Sequence, residues 1–232
     1  MENAIIMASG MGTRMRPLTE SVPKPLIKVG GKPMIETIID GLSRREDIGE
    51  IAVVTGYLGS QFDYLKDKYP CLKTIENPYY ETVNNISSVY AARDILKKGS
   101  CFVCEADLYI SDQSIFDAEL DFSCYFGKKI YGLSEDWVLE RDGEGFIKRI
   151  GKGGRDCFNM AGISYFTKED AGCLAEIIEA AYDKDGYEKL FWDEIVNNNL
   201  DRLKLKIHEV SENQIIEIDT VDELRAVNNR YV

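Results

Sequence analysis

Ser9-Gly10-Met11-Gly12-Thr13-Arg14-Met15-Arg16, with Pro23-Lys24-Pro25 shortly after, sets two glycines and three cations close together near the start of the chain. An apolar run, Ala4-Ile5-Ile6-Met7, precedes this loop and reads as a short buried strand. Gly10 and Gly12 let the backbone turn and leave its N–H groups uncovered, as a phosphate cradle requires. Arg14, Arg16 and Lys24 bring positive charge, while Pro17, Pro23 and Pro25 stiffen the segment that carries the Lys24 amine. Together these residues point to a bound triphosphate. The spacing is neither G-x-x-x-x-G-K-[ST] nor G-x-G-x-x-G.

Acids suited to a metal lie further along. Cys104-Glu105-Ala106-Asp107 ends an apolar run, which puts Asp107 at the rim where the glycine loop also sits. Magnesium takes one or two carboxylates together with phosphate oxygens, so a rim Asp is a suitable ligand. Ile216-Glu217-Ile218-Asp219-Thr220 is a second apolar run ending in an acid. From local sequence alone, Asp219 reads better as the cap of the next helix, because Asp219-Thr220-x-x-Glu223 would cap well. Trp137 and Trp192 are the only tryptophans, and acids flank both: Glu135 and Asp136, then Asp193 and Glu194. With Tyr131, Phe191 and Glu217 they could wall a quaternary ammonium group, which offers no N–H and is held by aromatic faces and negative charge. Taken one at a time, each aromatic could equally pack a sheet or helix.

Strands and helices must position these groups. The first half alternates. Strands are expected at residues 4–7, 50–55, 72–75 and 101–106, with helices from Pro33, over 62–69, and from about Asn85 through Lys98. This rhythm predicts an α/β, Rossmann-like, doubly wound sheet, mostly parallel or mixed, with ligands at the carboxyl ends of strands. The second half is richer in short strands, expected at 122–126, 137–140, 146–150, 159–166 and 203–209. Helices are expected from Lys168 to Tyr182, Tyr187 to Asn198 and Val221 to Asn229. The 232 residues suit one domain, 1–232, with residues 1–120 binding nucleotide and 121–232 shaping an acceptor pocket. Cys101 and Cys104 form C-x-x-C, but three residues apart on a strand they face opposite ways and read as core. His208 sits in an alternating strand and reads as structural.

A net charge of −12 excludes a nucleic-acid partner, which needs a broad basic surface, but permits a nucleotide held by local cations. No leader pattern precedes the first strand, and no apolar stretch approaches the roughly 20 residues of a membrane span. The six cysteines are scattered, as suits a reducing cytoplasm. A cytoplasmic enzyme without membrane association is therefore expected, as a monomer or weak dimer.

The loop and P-K-P resemble the signature of nucleotidyltransferases of the sugar-phosphate superfamily, G-x-G-T-R-[LM]-x-P-L-T followed by P-K-P. Val83-Asn84-Asn85-Ile86-Ser87-Ser88, Glu105-Ala106-Asp107, Ser134-Glu135-Asp136-Trp137, Leu190-Phe191-Trp192-Asp193 and Glu217-Ile218-Asp219 narrow the resemblance to bacterial CTP:phosphocholine cytidylyltransferases. The resemblance implies CTP bound by Ala8, Ser9, Gly10, Met11, Gly12, Thr13, Arg14, Lys24, Asn84, Ser88, Glu105 and Ala106. It implies catalysis by Lys24, Arg14 and Asp107, with Mg2+ on Asp107 and Asp219. Phosphocholine would meet Tyr131, Trp137, Phe191, Trp192, Asp193 and Glu217. The sugar-phosphate E-K-P motif is absent where Ile150-Gly151-Lys152-Gly153-Gly154-Arg155 stands, which weakens a sugar 1-phosphate acceptor. Phosphoethanolamine, 2-aminoethylphosphonate and a catalytically silent nucleotide-binding regulator remain as alternatives. The sequence leaves CTP over UTP or dTTP open.

Overall fold

Strand β1 (Glu2–Ala8) is apolar at both alternating sets of positions, so it is stable only when covered on both faces. The structure, a computed structural model, describes residues 1–231 and covers it that way. After the glycine loop, β2 (Lys28–Val29) and β3 (Lys32–Pro33) form a small hairpin. Helix α1 (Met34–Leu42) follows, with Met34, Ile35, Ile38, Ile39 and Leu42 fully buried along one stripe. Pro33 precedes this helix as its cap, with ψ 138°, rather than standing in its first turn as expected. Next come β4 (Ile48–Thr55), α2 (Tyr64–Lys68) and β5 (Leu72–Glu76). The single helix expected through Lys98 is two, α3 (Ile86–Ala91) and α4 (Arg93–Leu96), because buried Ala92 leaves the helical region at φ −99°, ψ 9°.

The chain continues through β6 (Ser100–Glu105), β7 (Leu108–Ile110), β8 (Cys124–Lys129), β9 (Leu133–Arg141), β10 (Ile147–Arg155) and β11 (Phe158–Phe166). Helix α5 (Lys168–Tyr182) matches its expected bounds, capped by the Thr167 hydroxyl. The helix expected from Tyr187 begins later, as α6 (Trp192–Asn197), because Leu190 and Phe191 are extended. Last come β12 (Lys206–Val210), β13 (Ile215–Glu217) and α7 (Val221–Tyr231).

Among the described residues, nine strands form one sheet with the order β10-β9-β11-β6-β1-β4-β5, and β8 joins β12 to β11. Strands β6, β1, β4 and β5 run parallel, while β11 joins β6 antiparallel and carries the β9–β10 hairpin. The fold is the mixed, doubly wound α/β sheet expected. Chain order reverses at β1, which lies between β4 and β6, so the crevice beyond its carboxyl end is where such sheets take ligands. Neighbouring residues of β1 enter opposite cores: Ala4 and Ile6 pack with α1, and Ile5 packs with α3 and α5. Cys104 and Cys101 divide in the same way, and both are fully buried, as core residues. His208 lies on β12 with its ring tilted against Phe126 at 4.5 Å. No helix of the described residues is long and apolar enough to cross a membrane.

Candidate active site

A cleft of 880 Å³ opens at the carboxyl ends of β1 and β6, and both glycine loop and rim acids line it. Of the two loop glycines, Gly12 needs the left-handed region, with φ 59°. A Cβ there would stand 2.8 Å from Lys24 Cβ, so a side chain at this position would push the lysine aside. Thr19 Oγ1 donates to Gly12 O at 2.8 Å, and Tyr57 OH donates to Thr19 O at 2.9 Å, bracing the loop from outside. Gly10 plays another part. A Cβ there would meet nothing within 4 Å, so its bareness leaves the backbone open to the cleft.

Lys24 stands in a tight turn, Lys24–Leu26, closed by Leu26 N–H donating to Pro23 O at 2.9 Å. Its ammonium reaches Asp107 Oδ2 and Asp219 Oδ1, both at 2.6 Å. Arg14 donates to the other Asp219 oxygen, Oδ2, at 2.6 Å. Burial by itself would lower the lysine pKa, but Asp107 and Asp219 outweigh it and the net shift is upward. Burial likewise works to raise Asp219, and Lys24 and Arg14 hold it below the usual carboxylate range. Lys24 therefore stays charged and Asp219 ionised. The two acids come from distant sequence and meet because β13 pairs antiparallel with β7, setting Glu217 beside Leu108. Ile218 N–H donates to Asp107 O at 3.1 Å and completes the clasp.

Helix capping does not claim Asp219. Thr220 Oγ1 accepts from Glu223 N–H at 3.2 Å, and Glu223 Oε2 accepts from Thr220 N–H at 2.8 Å and from Asp219 N–H at 2.7 Å. Thr220 and Glu223 thus form the capping box, leaving the Asp219 carboxylate to the cleft. Thr220→Ala is expected to lower stability by about 1 kcal/mol while turnover stays within about 2-fold. Urea unfolding beside a rate assay checks both halves. A turnover loss as large as that of Asp219→Ala would show that the cap also holds the carboxylate in place.

The expected acceptor wall is only partly assembled. Trp137 and Phe191 line the cleft and meet edge to face with centroids 5.5 Å apart. Tyr131 does not line it and is 80% exposed, with the Lys129 ammonium 5.3 Å from its ring. Trp192 is core, 3% exposed and stacked on Tyr125 at 5.8 Å. Tyr131 lies in the connection between β8 and β9, where no strand directs it into the cleft, and Trp192 lies on the face of α6 turned to Tyr125 and Phe166. Asp193 turns the other way, lines the cleft and accepts from Tyr125 OH at 3.1 Å. Burial pushes its pKa up to about 7, and burial with the charge of Asp107 pushes Glu217 up to about 8. Burial, then the charge of Asp107, also raises Glu105 well above the usual carboxylate range.

Ala8, Ser9, Thr13, Asn84, Ser88 and Ala106 also line the cleft; Met11 does not. Two cations were not singled out by sequence, Lys128 on β8 and Lys152 on β10, and both line the cleft with Glu217 and Trp137. Their only signal was strand alternation, which a bulge in each strand's pairing obscures. Glu105, Asp107 and Glu217 each offer an oxygen within 4.8 Å of the others. The Asp107 carboxylate also keeps one buried oxygen, Oδ1, without a hydrogen-bond partner. A buried carboxyl oxygen without a partner, so placed, fits a cation ligand.

Uncovered loop amides, a pinned lysine and paired acids at the switch point of an α/β sheet are the parts of an enzyme that holds a polyphosphate and stabilises charge on it. The chain belongs to the nucleotidyl transferase family, whose model matches residues 3–122. It is 52% identical over 230 residues to the 2-aminoethylphosphonate cytidylyltransferase of Lancefieldella rimae, covering 99% of this chain and 93% of that protein. It is 34% identical over 225 residues to the choline-phosphate cytidylyltransferase of Streptococcus pneumoniae, covering 96% and 95%. The solved structure of the Streptococcus pneumoniae CTP:phosphocholine cytidylyltransferase superposes with a TM-score of 0.90 at 32% identity, covering 100% of this chain and 99% of that one.

Proposed function

We propose that this chain transfers a cytidylyl group from CTP to a small acceptor with an ammonium at one end and a phosphonate or phosphate at the other. The preferred acceptor is 2-aminoethylphosphonate. The observation that supports this choice is the cleft lining, where three acids, Asp193, Glu217 and Glu105, stand with the aromatic faces of Trp137 and Phe191; burial raises their pKa values in the free cleft, and an entering ammonium would favour their ionised forms. A primary ammonium has three N–H donors and seeks carboxylates, whereas a quaternary one seeks aromatic faces. The 52% relative carries the same acceptor in its name. Phosphocholine is the second reading, favoured by the Trp137–Phe191 pair and the 34% relative.

The chain would act as one nucleotidyltransferase domain in the cytoplasm, a compartment that suits its six unpaired cysteines. Backbone amides of the Ser9–Arg14 loop bind the triphosphate, and Arg14 holds the departing pyrophosphate. Lys24 neutralises an oxygen of the α-phosphate. Asp107 and Asp219 would hold the magnesium ion, which when bound supplies divalent charge beside the α-phosphate. Lys128 and Lys152 draw in the acceptor's anionic end, and Asp193 and Glu217 orient its ammonium. An acceptor oxygen forms the new bond to the α-phosphorus in line as the bond to the bridging oxygen breaks, and pyrophosphate leaves with the electron pair. The acceptor oxygen is already anionic near neutral pH, so no general base is required. Positioning and charge stabilisation supply the rate.

Pyrophosphate release with CTP and magnesium, measured across four acceptors, tests this reading. 2-Aminoethylphosphonate is expected to turn over fastest, then phosphoethanolamine and phosphocholine, with glucose 1-phosphate inert. Turnover with glucose 1-phosphate alone would discard the acceptor assignment, and CTP binding without turnover would favour a silent regulator. Asp193→Asn should raise the acceptor KM about 10-fold, the loss of one charge-assisted contact, with the CTP KM unchanged. The same substitution has a stability signature with a definite sign. A carboxyl whose folded pKa is raised favours the protonated form, so its contribution is present at low pH and lost as pH rises through about 7. Asp193→Asn is therefore expected to raise Tm at pH 8, by progressively less as pH falls, and to leave it nearly unchanged only below about pH 4.

A further inference from the structure

Beneath the nucleotide end of the cleft lies a buried polar cluster with no part in the steps above. Asn77, just past β5, is 0% exposed. Its Nδ2 lies 2.8 Å from Ser87 Oγ and 3.3 Å from both Ser9 Oγ and Ser88 Oγ. Ser9 Oγ and Ser88 Oγ are themselves 2.8 Å apart, and both residues line the cleft. The cluster ties the glycine loop to the first turn of α3.

Proton directions in this cluster follow from the backbone. Tyr79 N–H donates to Asn77 Oδ1 at 3.0 Å, so the amide oxygen is spoken for and the NH2 end must face the serines. An NH2 group only donates, so every serine oxygen it meets is an acceptor. Ser87 gives its own proton to Asn84 O at 2.8 Å. The remaining Asn77 N–H is shared by Ser9 and Ser88, and one of those two hydroxyls donates to the other. One proton is left. Among the described residues neither serine has another acceptor for it, so it is directed at the cleft.

We infer that Asn77 is the positioning residue for base selection: by donating to Ser9 and Ser88 it makes them present a hydrogen-bond donor to the pyrimidine. Cytosine carries a bare acceptor at ring N3, and uracil carries an N–H there. A donor at this place accepts the first base and opposes the second. The inference rests on the cytidylyl reading and extends it to how the base is chosen. A backbone amide could present the same donor without Asn77, but this cluster makes the choice depend on one buried amide whose orientation the Tyr79 N–H fixes.

Two measurements test it. In the unaltered protein, 3-deaza-CTP, which has C–H in place of ring N3, should bind about 10-fold or more weakly than CTP in calorimetric titrations, the loss of one hydrogen bond. Asn77→Asp keeps the shape but replaces the donor with an acceptor, so the serine protons turn inward to the new carboxylate. The ratio of kcat/KM for CTP over UTP should then fall about 10-fold or more, with the KM of the phosphonate acceptor unchanged. A merely structural role would lower both nucleotides together and leave the ratio alone. Equal binding of 3-deaza-CTP and CTP, or an unchanged ratio, overturns the inference. If Asn77→Asp does not fold, Asn77→Ala, which removes the amide donor without adding a charge, carries the same CTP-over-UTP ratio test. Failure of CTP to bind or react at all would take down the cytidylyl reading and this inference with it, whereas CTP turnover at an unchanged ratio removes only the role of Asn77.

Discussion

Lys24→Ala should lower turnover at least ~100-fold, the usual effect of deleting a main electrostatic contact to the transition state. The ammonium is only 9% exposed along its side chain and bridges Asp107 and Asp219. Nothing else among the described residues reaches both carboxylates. Without it, two ionised acids face one another with only Arg14 beside Asp219, and the α-phosphate loses its nearest cation. Asp107→Ala belongs in the same class, because it removes the partner of Lys24 and the one carboxylate with an unpartnered buried oxygen. Arginine should not rescue the lysine, since one ammonium sits 2.6 Å from both Asp107 Oδ2 and Asp219 Oδ1, a place for a compact point charge rather than a planar fork. Pyrophosphate release at saturating CTP and acceptor gives the test, and rates near wild type for either variant would remove this mechanism. Residual activity in Lys24→Ala should also fade sooner on acidification, because Lys24 is one of the charges that keep the Asp219 pKa low.

Trp192→Ala is expected to cost ~3–5 kcal/mol of stability, as large-to-small changes of buried aromatics do. The indole stacks on Tyr125, meets Phe166 edge-on at 6.2 Å and is buried to 3%. An acceptor-wall residue would behave differently, changing which acceptor is used and leaving Tm nearly alone. At a temperature where the variant remains folded, its preference between 2-aminoethylphosphonate and phosphocholine should match the parent. Trp192→Phe should recover much of the loss, because the indole N–H has no hydrogen-bond partner and phenylalanine carries no such group. A change of acceptor preference without loss of stability would return Trp192 to the cleft. Trp137→Ala provides the contrast, with little change in Tm and the larger effect on phosphocholine.

The nucleotide half was legible in the sequence because its signals are local. Glycines, prolines and Lys24 lie within one short stretch, and the alternation of strand and helix is written in hydrophobic period. Asp219 was harder. Its neighbourhood supports both a cap and a ligand, and only the three-dimensional structure shows Thr220 taking the cap. The acceptor half was least legible. Whether Trp192 or Asp193 faces the cleft depends on the helix starting at Trp192 rather than Tyr187, and a shift of this kind rotates the whole face. Lys128 and Lys152 were hidden because which side of a bulged strand they occupy is decided by pairing between strands far apart in sequence. Gly162 shows the same dependence: its φ of 73° interrupts β11, and a Cβ there would crowd Leu108 and Glu105.

The β7–β13 clasp carries a consequence for a chain emerging from the ribosome. The glycine loop, β1, β4 and β6 are synthesised early. Asp219 arrives only when β13 has paired with β7 and Ile218 has bonded to Asp107. A nascent chain at an earlier stage lacks the second acid. Under the proposed function, competence is thereby tied to pairing between segments far apart in sequence.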